Sequence, residues 1–258
     1  MSDELIQQRN IKLLIEYDGS RYHGWQMQKN GPSIQAEITN AIATITKEKV
    51  NLCVAGRTDA GVHATGQVAN FYTQSNIPAE RFAAALNTVL PFDISIHCSK
   101  QVPDNFHSRL DSESKRYCYQ VYNAKQRSAL TDKYAWFIRR RLDIAVMKQG
   151  ATLLLGEQDF EAFRSSQCDA EHAWRYMNSI TIDQEMRPPI GALVKITFHA
   201  NAFCRHMCRI LAGTLIEVGM GKRSASDISA ALAKRKREFA GITAPAHGLT
   251  LLEVIYPK

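Results

Sequence analysis

Residues 56–63 read GRTDAGVH and lie between two apolar segments, 50–55 and 67–72. Two glycines enclose an arginine and a carboxylate, Arg57 and Asp59. This pattern predicts a tight turn between two strands, with Asp59 near its tip. Aspartate is common in turns because its side chain bonds the local backbone, and a nearby guanidinium keeps a carboxylate ionised. Taken alone, the segment favours a structural role for both residues.

The sequence on either side of this turn predicts a first half with the order β-α-β-β-α-β. A strand covers 11–17, and Ser33 is placed to cap a helix whose apolar residues recur at helical spacing. After the strand pair, Pro78 opens a second helix, with Val89 on its apolar face, and Pro91 ends it.

The second half has a similar order of elements. The patterns predict strands over 115–123, 176–183, 192–200 and 249–256, and helices over 143–155, 202–218 and 226–237. Asp143 is placed to cap the first of these helices. The predicted organisation is therefore two α/β domains, residues 1–105 and 106–258.

Two arginines lie near the N-terminus of the helix predicted over 202–218. Arg205 and Arg209 are one turn apart on one face, where the helix dipole disfavours cations. They are either solvated or face an anionic group such as a carboxylate or a phosphate.

The charge balance of the chain is basic. Thirty-two Lys and Arg against 25 Asp and Glu give a net charge of +7. Basic residues cluster at 139–141, 222–223 and 234–237. Such runs are either solvated helix faces or contacts for a polyanion such as nucleic acid.

Cysteine spacing and hydropathy limit the class of protein. The six cysteines contain no Cys-x-x-Cys pair, so we expect neither a zinc site nor a disulfide framework, and the scattered thiols favour a reducing cytosol. No apolar run has the length of a membrane span, and the polar residues 1–4 do not read as a secretory signal.

Several segments together closely resemble the bacterial tRNA pseudouridine synthase A family. They occur in order along the chain, at 17–20, 24–26, 56–64, 66–68, 90–94, 106–109, 115–119, 201–209 and 248–249. Minor departures are Ser108, where alanine is common, and Ala246-His247, where proline is common.

The resemblance implies a fold, a reaction and a partner. The fold is α/β (α+β), with two halves of antiparallel-rich mixed sheets flanked by helices around a central catalytic cleft. The reaction is the isomerisation of uridine to pseudouridine at nucleotides 38 to 40 of the tRNA anticodon stem-loop. The resemblance also implies a cytoplasmic homodimer that grips tRNA across both subunits and uses no cofactor or metal.

Four residues coincide with the family's catalytic positions. Asp59 falls on the catalytic aspartate, Arg57 on the arginine of the same loop, Tyr117 on the active-site tyrosine, and Arg209 on the basic residue that pairs with the aspartate. Further expected substrate contacts are Tyr117 itself, His63, Phe106, His107, Arg109 and Arg205. Of these, Phe106 and His107 are equally consistent with packing, and His63 with a structural role.

The reaction explains why these residue types are needed. A base must leave its stack, at a cost of a few kcal/mol, and an aromatic ring such as Tyr117 can offset that cost. Asp59 must be ionised, either to attack the ribose or base or to remove a ribose proton. A non-catalytic RNA-binding protein would not need these three residues, Asp59, Tyr117 and Arg209. A zinc deaminase would need a His-x-Glu and Pro-Cys-x-x-Cys signature, which is absent.

Overall fold

The computed structural model describes residues 8–29, 31–188 and 191–257. The described residues divide into two compact units. One unit runs to Glu113 and also includes the chain from Leu251 on, and the other is Ser114–Thr250. The polar residues 1–4, which do not read as a secretory signal, lie outside the described residues.

The first unit contains the predicted β-α-β-β-α-β order. Its elements are β1 (Arg9–Tyr17), α1 (Ile34–Thr46), β2 (Cys53–Val54), β3 (His63–Thr73), α2 (Phe82–Asn87) and β4 (Ile94–Val102). β1 pairs antiparallel with both β3 and β4, and β2 pairs antiparallel with β3. The last strand of the chain, β10 (Leu249–Ile255), enters this unit at Leu251 and neighbours β3.

The core of the first unit lies between this sheet and its helices. Ser33 caps α1 as predicted, its hydroxyl accepting from the Ala36 amide at 3.3 Å. Ile38 and Ile42, one turn apart, are both fully buried. α2 ends at Asn87, and Val89 is 44% exposed, so its predicted place on the apolar face is wrong. The apolar contact of this short helix comes from Phe82 and Leu86, which are both fully buried.

The second unit contains a mostly antiparallel sheet with three helices packed in the same unit. Its elements are β5 (Ser114–Asn123), β6 (Trp136–Ile138), α3 (Ile144–Thr152), β7 (Gly156–Asp159), β8 (Trp174–Arg187), β9 (Gly191–Ala200), α4 (Met207–Gly219) and α5 (Ala225–Lys234). β5, β9, β8 and β7 are successive antiparallel neighbours, and β6 pairs parallel with β5. These two sets of strands confirm the predicted antiparallel-rich α+β class.

Several helix boundaries differ from the prediction. α3 starts after Asp143, whose carboxylate caps it as expected, but it ends at Thr152 rather than Leu155. α4 starts at Met207, five residues later than predicted. Its N-cap residue, His206, has a left-handed backbone with φ of 64°, so the helix cannot continue backward through it. α5 ends at Lys234, before a second left-handed residue, Arg235.

α4 is buried around its whole circumference. All of its residues except Arg209 are buried, in place of the one apolar stripe that the spacing predicted. A Cβ on Gly213 would lie 2.0 Å from the Ile242 carbonyl oxygen, so another segment approaches the helix backbone closely. Within the described residues, no helix has the length and apolarity that crossing a membrane requires.

Candidate active site

The segment that carries Asp59 is a loop between β2 and β3. Cys53 and Val54 of β2 pair with Asn70 and Ala69 of β3, and 55–62 form the connection. The loop is therefore wider than the predicted tight turn. The carbonyl of Asp59 accepts from the Val62 amide at 3.1 Å. Asp59 is half-buried and Arg57 is exposed.

A buried polar network binds the backbone and side chains of this loop. The hydroxyls of Tyr17 and Thr58 are 2.8 Å apart. The side-chain amide of Gln67 donates to the Gly56 carbonyl at 2.8 Å and to the Tyr17 hydroxyl at 3.3 Å. Burial raises the pKa of Tyr17 to about 12, so its hydroxyl is neutral near pH 7. We call Tyr17, Thr58 and Gln67 the loop clamp.

Backbone contacts fix the two sides of Asp59. The Trp25 amide donates to the Thr58 carbonyl at 3.0 Å, and the Gly61 amide donates to the Tyr22 carbonyl at 3.3 Å. Gly24 has φ of +95°, and a Cβ there would lie 2.7 Å from the Thr58 carbonyl oxygen. Only glycine permits both this conformation and this approach. The backbone at Asp59 is thus held from several directions.

His63 lies beneath the loop rather than on its surface. It is the first residue of β3 and is 4% exposed. Its Nδ1 accepts from the Gly19 amide at 3.1 Å and is the same distance from Asp18 Oδ1. This placement supports the structural interpretation of His63 over a direct contact with RNA.

The segment 106–109 packs within the first unit. The ring of Phe106 lies 5.3 Å from that of Tyr256, with Lys12 Nζ 4.9 Å from it. His107 Nδ1 accepts from the Arg109 amide at 3.1 Å. Phe106 and His107 are half-buried, and Arg109 is exposed. The packing interpretation therefore accounts for the first two, and Arg109 presents its charge to solvent.

In the second unit, Tyr117 occupies β5 and is 7% exposed. It pairs with Phe198 of β9. Its ring contacts that of Phe203 edge to face, with centroids 5.0 Å apart. Little of the ring surface is therefore open for full stacking on a base.

Arg209 is anchored in the first turn of α4. Its Nε donates to the Ala244 carbonyl at 2.8 Å, and the Ala244 amide donates to the Arg209 carbonyl at 3.1 Å. Tyr119 lies nearby and donates to the Pro245 carbonyl at 2.8 Å. Burial raises the pKa of Tyr119, and the charge of Arg209 opposes that shift. Arg209 is half-buried and thus is not a solvated surface arginine.

Arg205 does not share a helix face with Arg209, which corrects the sequence interpretation. Arg205 precedes α4 and is exposed. Its guanidinium donates to the Gln167 carbonyl at 3.2 Å, and its amide donates to Cys168 Sγ at 3.4 Å. The long-range contact with 165–168 takes the backbone out of the helical path.

Within each unit the structure groups some of the predicted residues. Arg57, Asp59 and His63 belong to one loop and its following strand, whereas Phe106 and His107 pack in another segment. The loop clamp and Gly24 were missed as functional residues. Their signal was present, because Tyr17, Gly24 and Gln67 all lie in segments that resemble the family. Among the described residues, no group of three or more His, Cys, Asp or Glu side chains is arranged to hold a metal ion.

Comparison with known proteins identifies the family. The model of the family described as tRNA pseudouridine synthase matches residues 13–111 and 151–257. A tRNA pseudouridine synthase A of Acetivibrio thermocellus is 46% identical over 248 residues, covering 96% of this chain and 100% of the relative. The corresponding protein of Geotalea daltonii is 45% identical with the same coverage. That of Myxococcus xanthus is 43% identical, covering 95% of this chain and 91% of the relative. This chain therefore belongs to the tRNA pseudouridine synthase family.

Proposed function

We propose that this protein isomerises uridine to pseudouridine in the anticodon stem-loop of tRNA, with Asp59 as its catalytic carboxylate. The observation that carries the proposal is the near full-length match to the tRNA pseudouridine synthases. The geometry of the Asp59 loop supports it, because backbone and side-chain contacts hold this carboxylate half-buried. We take nucleotides 38 to 40 as the target, from the family resemblance.

The chemistry requires an anion of fixed position. The N1–C1′ bond of the uridine breaks, the uracil turns, and C5 forms the new bond to C1′. Asp59 serves either as a nucleophile toward the ribose or base, or as the base that removes a ribose proton. Both routes gain from a carboxylate that is already placed, since misplacement by about 1 Å costs on the order of 10²-fold in rate.

We propose that Arg57, Tyr117 and Arg209 act on the same uridine or on Asp59. A guanidinium keeps a carboxylate ionised and orients it, which is the role we give to Arg57 and Arg209. Tyr117 contacts the uracil. With 7% of the residue exposed, an edge or hydroxyl contact fits better than stacking over the whole ring.

The Asp59→Asn substitution tests this assignment. Asparagine keeps the shape of the side chain but removes its charge, so we expect pseudouridine formation to be abolished and tRNA binding to be largely retained. The measurement is tritium release from tRNA labelled at uracil C5, with filter binding in parallel. Asp104→Asn, at an exposed position of the same unit, is the matched control.

Two results would contradict the assignment. Full tritium release by Asp59→Asn removes Asp59 from the chemistry. Tight tRNA binding without turnover by the wild-type protein, on every tRNA tested, indicates the non-catalytic RNA-binding alternative. Pseudouridine mapping in cells that lack the protein, complemented with either form, identifies the modified positions.

We further propose that the protein works in the cytoplasm as a homodimer that binds tRNA across both subunits. The support is the family resemblance and the net charge of +7, which favours a polyanionic partner. Sedimentation equilibrium of the free protein tests the dimer. A single species with the mass of one chain at micromolar concentration would contradict the proposed homodimer.

A further inference from the structure

A small basic cavity in the second unit is lined by a thiol that the proposed chemistry does not use. The cavity has a volume of ≈370 Å³ and is lined by Cys168 together with Arg164, Arg235 and Arg237. Arg164 pairs with Glu161 at 2.9 Å and Arg235 with Asp159 at 3.3 Å. Arg237 therefore supplies the excess positive charge of the cavity, which favours small anionic molecules.

A second thiol lies next to Cys168. The Arg205 amide nitrogen donates to Cys168 Sγ at 3.4 Å, and this nitrogen belongs to the peptide bond that follows Cys204. From standard backbone lengths, Cys168 Sγ is therefore within about 6 Å of the Cys204 Cα. Each thiol is also near enough to shift the pKa of the other. The two cysteines are therefore close enough for a disulfide between them to be tested directly.

The two thiols have opposite environments. Burial alone would raise the pKa of Cys168, but hydrogen bonds from the amides of Ala170 and Arg205 and from Cys204, with the charge of Arg164, lower it overall. Burial raises the pKa of Cys204 to about 11. Cys168 is half-buried and Cys204 is 5% exposed. A thiol of lowered pKa that solvent can reach is the attacking nucleophile of a redox pair, and its buried neighbour is the resolving thiol.

We propose that Cys168 and Cys204 form a reversible dithiol–disulfide couple that a small anionic disulfide oxidises. The Cys168 thiolate attacks one sulfur of that disulfide, a mixed disulfide forms, and one thiolate leaves. Cys204 then attacks the Cys168 sulfur and releases the second thiol, which takes the Cys204 proton. The protein loses two electrons and two protons, and the small disulfide gains them to become two thiols.

The second step is favoured by a change in charge at the site. The negative charge of Cys168 is one of the causes that raise the pKa of Cys204. When Cys168 becomes a mixed disulfide, this charge disappears and Cys204 ionises more readily. Intracellular disulfides of this kind are typically transient and redox-sensing. The segment 165–168 also contacts Arg205 through the Ser165 amide, so the disulfide would join two segments that already touch.

Oxidised glutathione is the probe, and trypsin resolves the products. Cleavage after Arg164 and Arg175 places Cys168 in peptide 165–175, and cleavage after Lys195 and Arg205 places Cys204 in peptide 196–205. Cys208 falls in the separate peptide 206–209. We expect non-reducing mass spectrometry to find 165–175 linked to 196–205, reversal by dithiothreitol, and a higher melting temperature in the linked form.

Variants separate the two steps. Cys204→Ser should stop at glutathionylated Cys168, and Cys168→Ser should leave Cys204 unmodified. Cys208→Ser and Cys98→Ser are the matched controls and should still form the link. On the wild-type protein, the alkylation rate of Cys168 should rise at a lower pH than that of an unperturbed thiol. A stable mixed disulfide on wild-type Cys168, a link to Cys208, or a pH profile of Cys168 alkylation no different from that of an unperturbed thiol would overturn the proposal.

Discussion

The loop clamp makes a specific prediction for Tyr17→Phe. The substitution keeps the ring and removes the hydroxyl, which is 2.8 Å from Thr58 Oγ1 and 3.3 Å from Gln67 Nε2. Gln67 keeps its bond to Gly56, but the Thr58 hydroxyl, in a residue 8% exposed, loses its partner. One lost hydrogen bond and one poorly satisfied buried group together cost about 1–3 kcal/mol of unfolding free energy.

The effect on catalysis should exceed the effect on binding. Thr58 precedes Asp59, so loosening it displaces the carboxylate, and a displacement of about 1 Å costs up to ~10²-fold in rate. We expect kcat for tritium release to fall between about 10-fold and 100-fold. The tRNA dissociation constant should change less than about twofold, because Tyr17 is 2% exposed and cannot touch RNA. Kinetics of tritium release measure kcat and filter binding measures the dissociation constant, while urea unfolding measures the loss of stability.

Tyr22→Phe is the matched control for this experiment. It also removes one tyrosine hydroxyl, which donates to Asp93 at 2.6 Å, and it leaves the loop clamp intact. Its stability should fall by a comparable amount while kcat stays near the wild-type value. The positioning argument fails if Tyr17→Phe loses stability but keeps its kcat, or if both variants lose kcat equally.

Three further predictions concern the loop and the charged surface. Gly24→Ala should lose activity and more than about 2 kcal/mol of stability in urea unfolding, because its Cβ would lie 2.7 Å from the Thr58 carbonyl oxygen. Gly221→Ala is the control, since Gly221 has φ of +67° but a Cβ there meets no atom within 4 Å, and it should cost only about 1–2 kcal/mol. Above pH 10 stability should fall, since the folded pKa of Tyr17 is about 12 against 10 in the unfolded chain; the folded state then holds a proton that the unfolded state has lost. Tyr17→Phe should remove up to ~3 kcal/mol of this loss between pH 10 and 12. Replacing the exposed Lys234 and Lys236 with Gln should weaken the salt dependence of tRNA binding. The slope of log K against log salt concentration should become shallower by about 0.9 for each phosphate that is no longer neutralised. An unchanged slope would show that neither lysine contacts phosphate.

Local patterns predicted the elements of this fold well. The capping residues Ser33 and Asp143 were recognised from their types alone, and each accepts a bond from the amide three residues later. These bonds depend on neighbours in sequence, so their signal is local. The antiparallel neighbours of β1 and β9 then bring segments together that are distant in sequence.

The start of α4 could not be predicted from local pattern. Cys204 and Arg205 continue a helical spacing, but Arg205 is held by the Ser165 amide and the Gln167 carbonyl, about 40 residues earlier in the chain. A contact over that separation leaves no trace in periodicity. The left-handed His206 then ends the irregular segment.

The same reasoning explains why the family motif points to Asp59 but not to the residues that support its loop. Asp59 stands out because the proposed chemistry demands a carboxylate, whereas Tyr17 and Gln67 are 50 residues apart in sequence and meet each other, Thr58 and Gly56 only in the folded unit. Each has an ordinary local explanation, as a core tyrosine and a strand glutamine. Their function exists only in the folded unit, where the neutral Tyr17 hydroxyl and the Gln67 amide hold Gly56 and Thr58 on one side of Asp59, while Trp25 and Tyr22 bond the backbone at Thr58 and Gly61. A carboxylate restrained on both sides reorganises little when charge moves during the reaction, and for that reason we expect substitutions in the loop clamp to change kcat more than affinity.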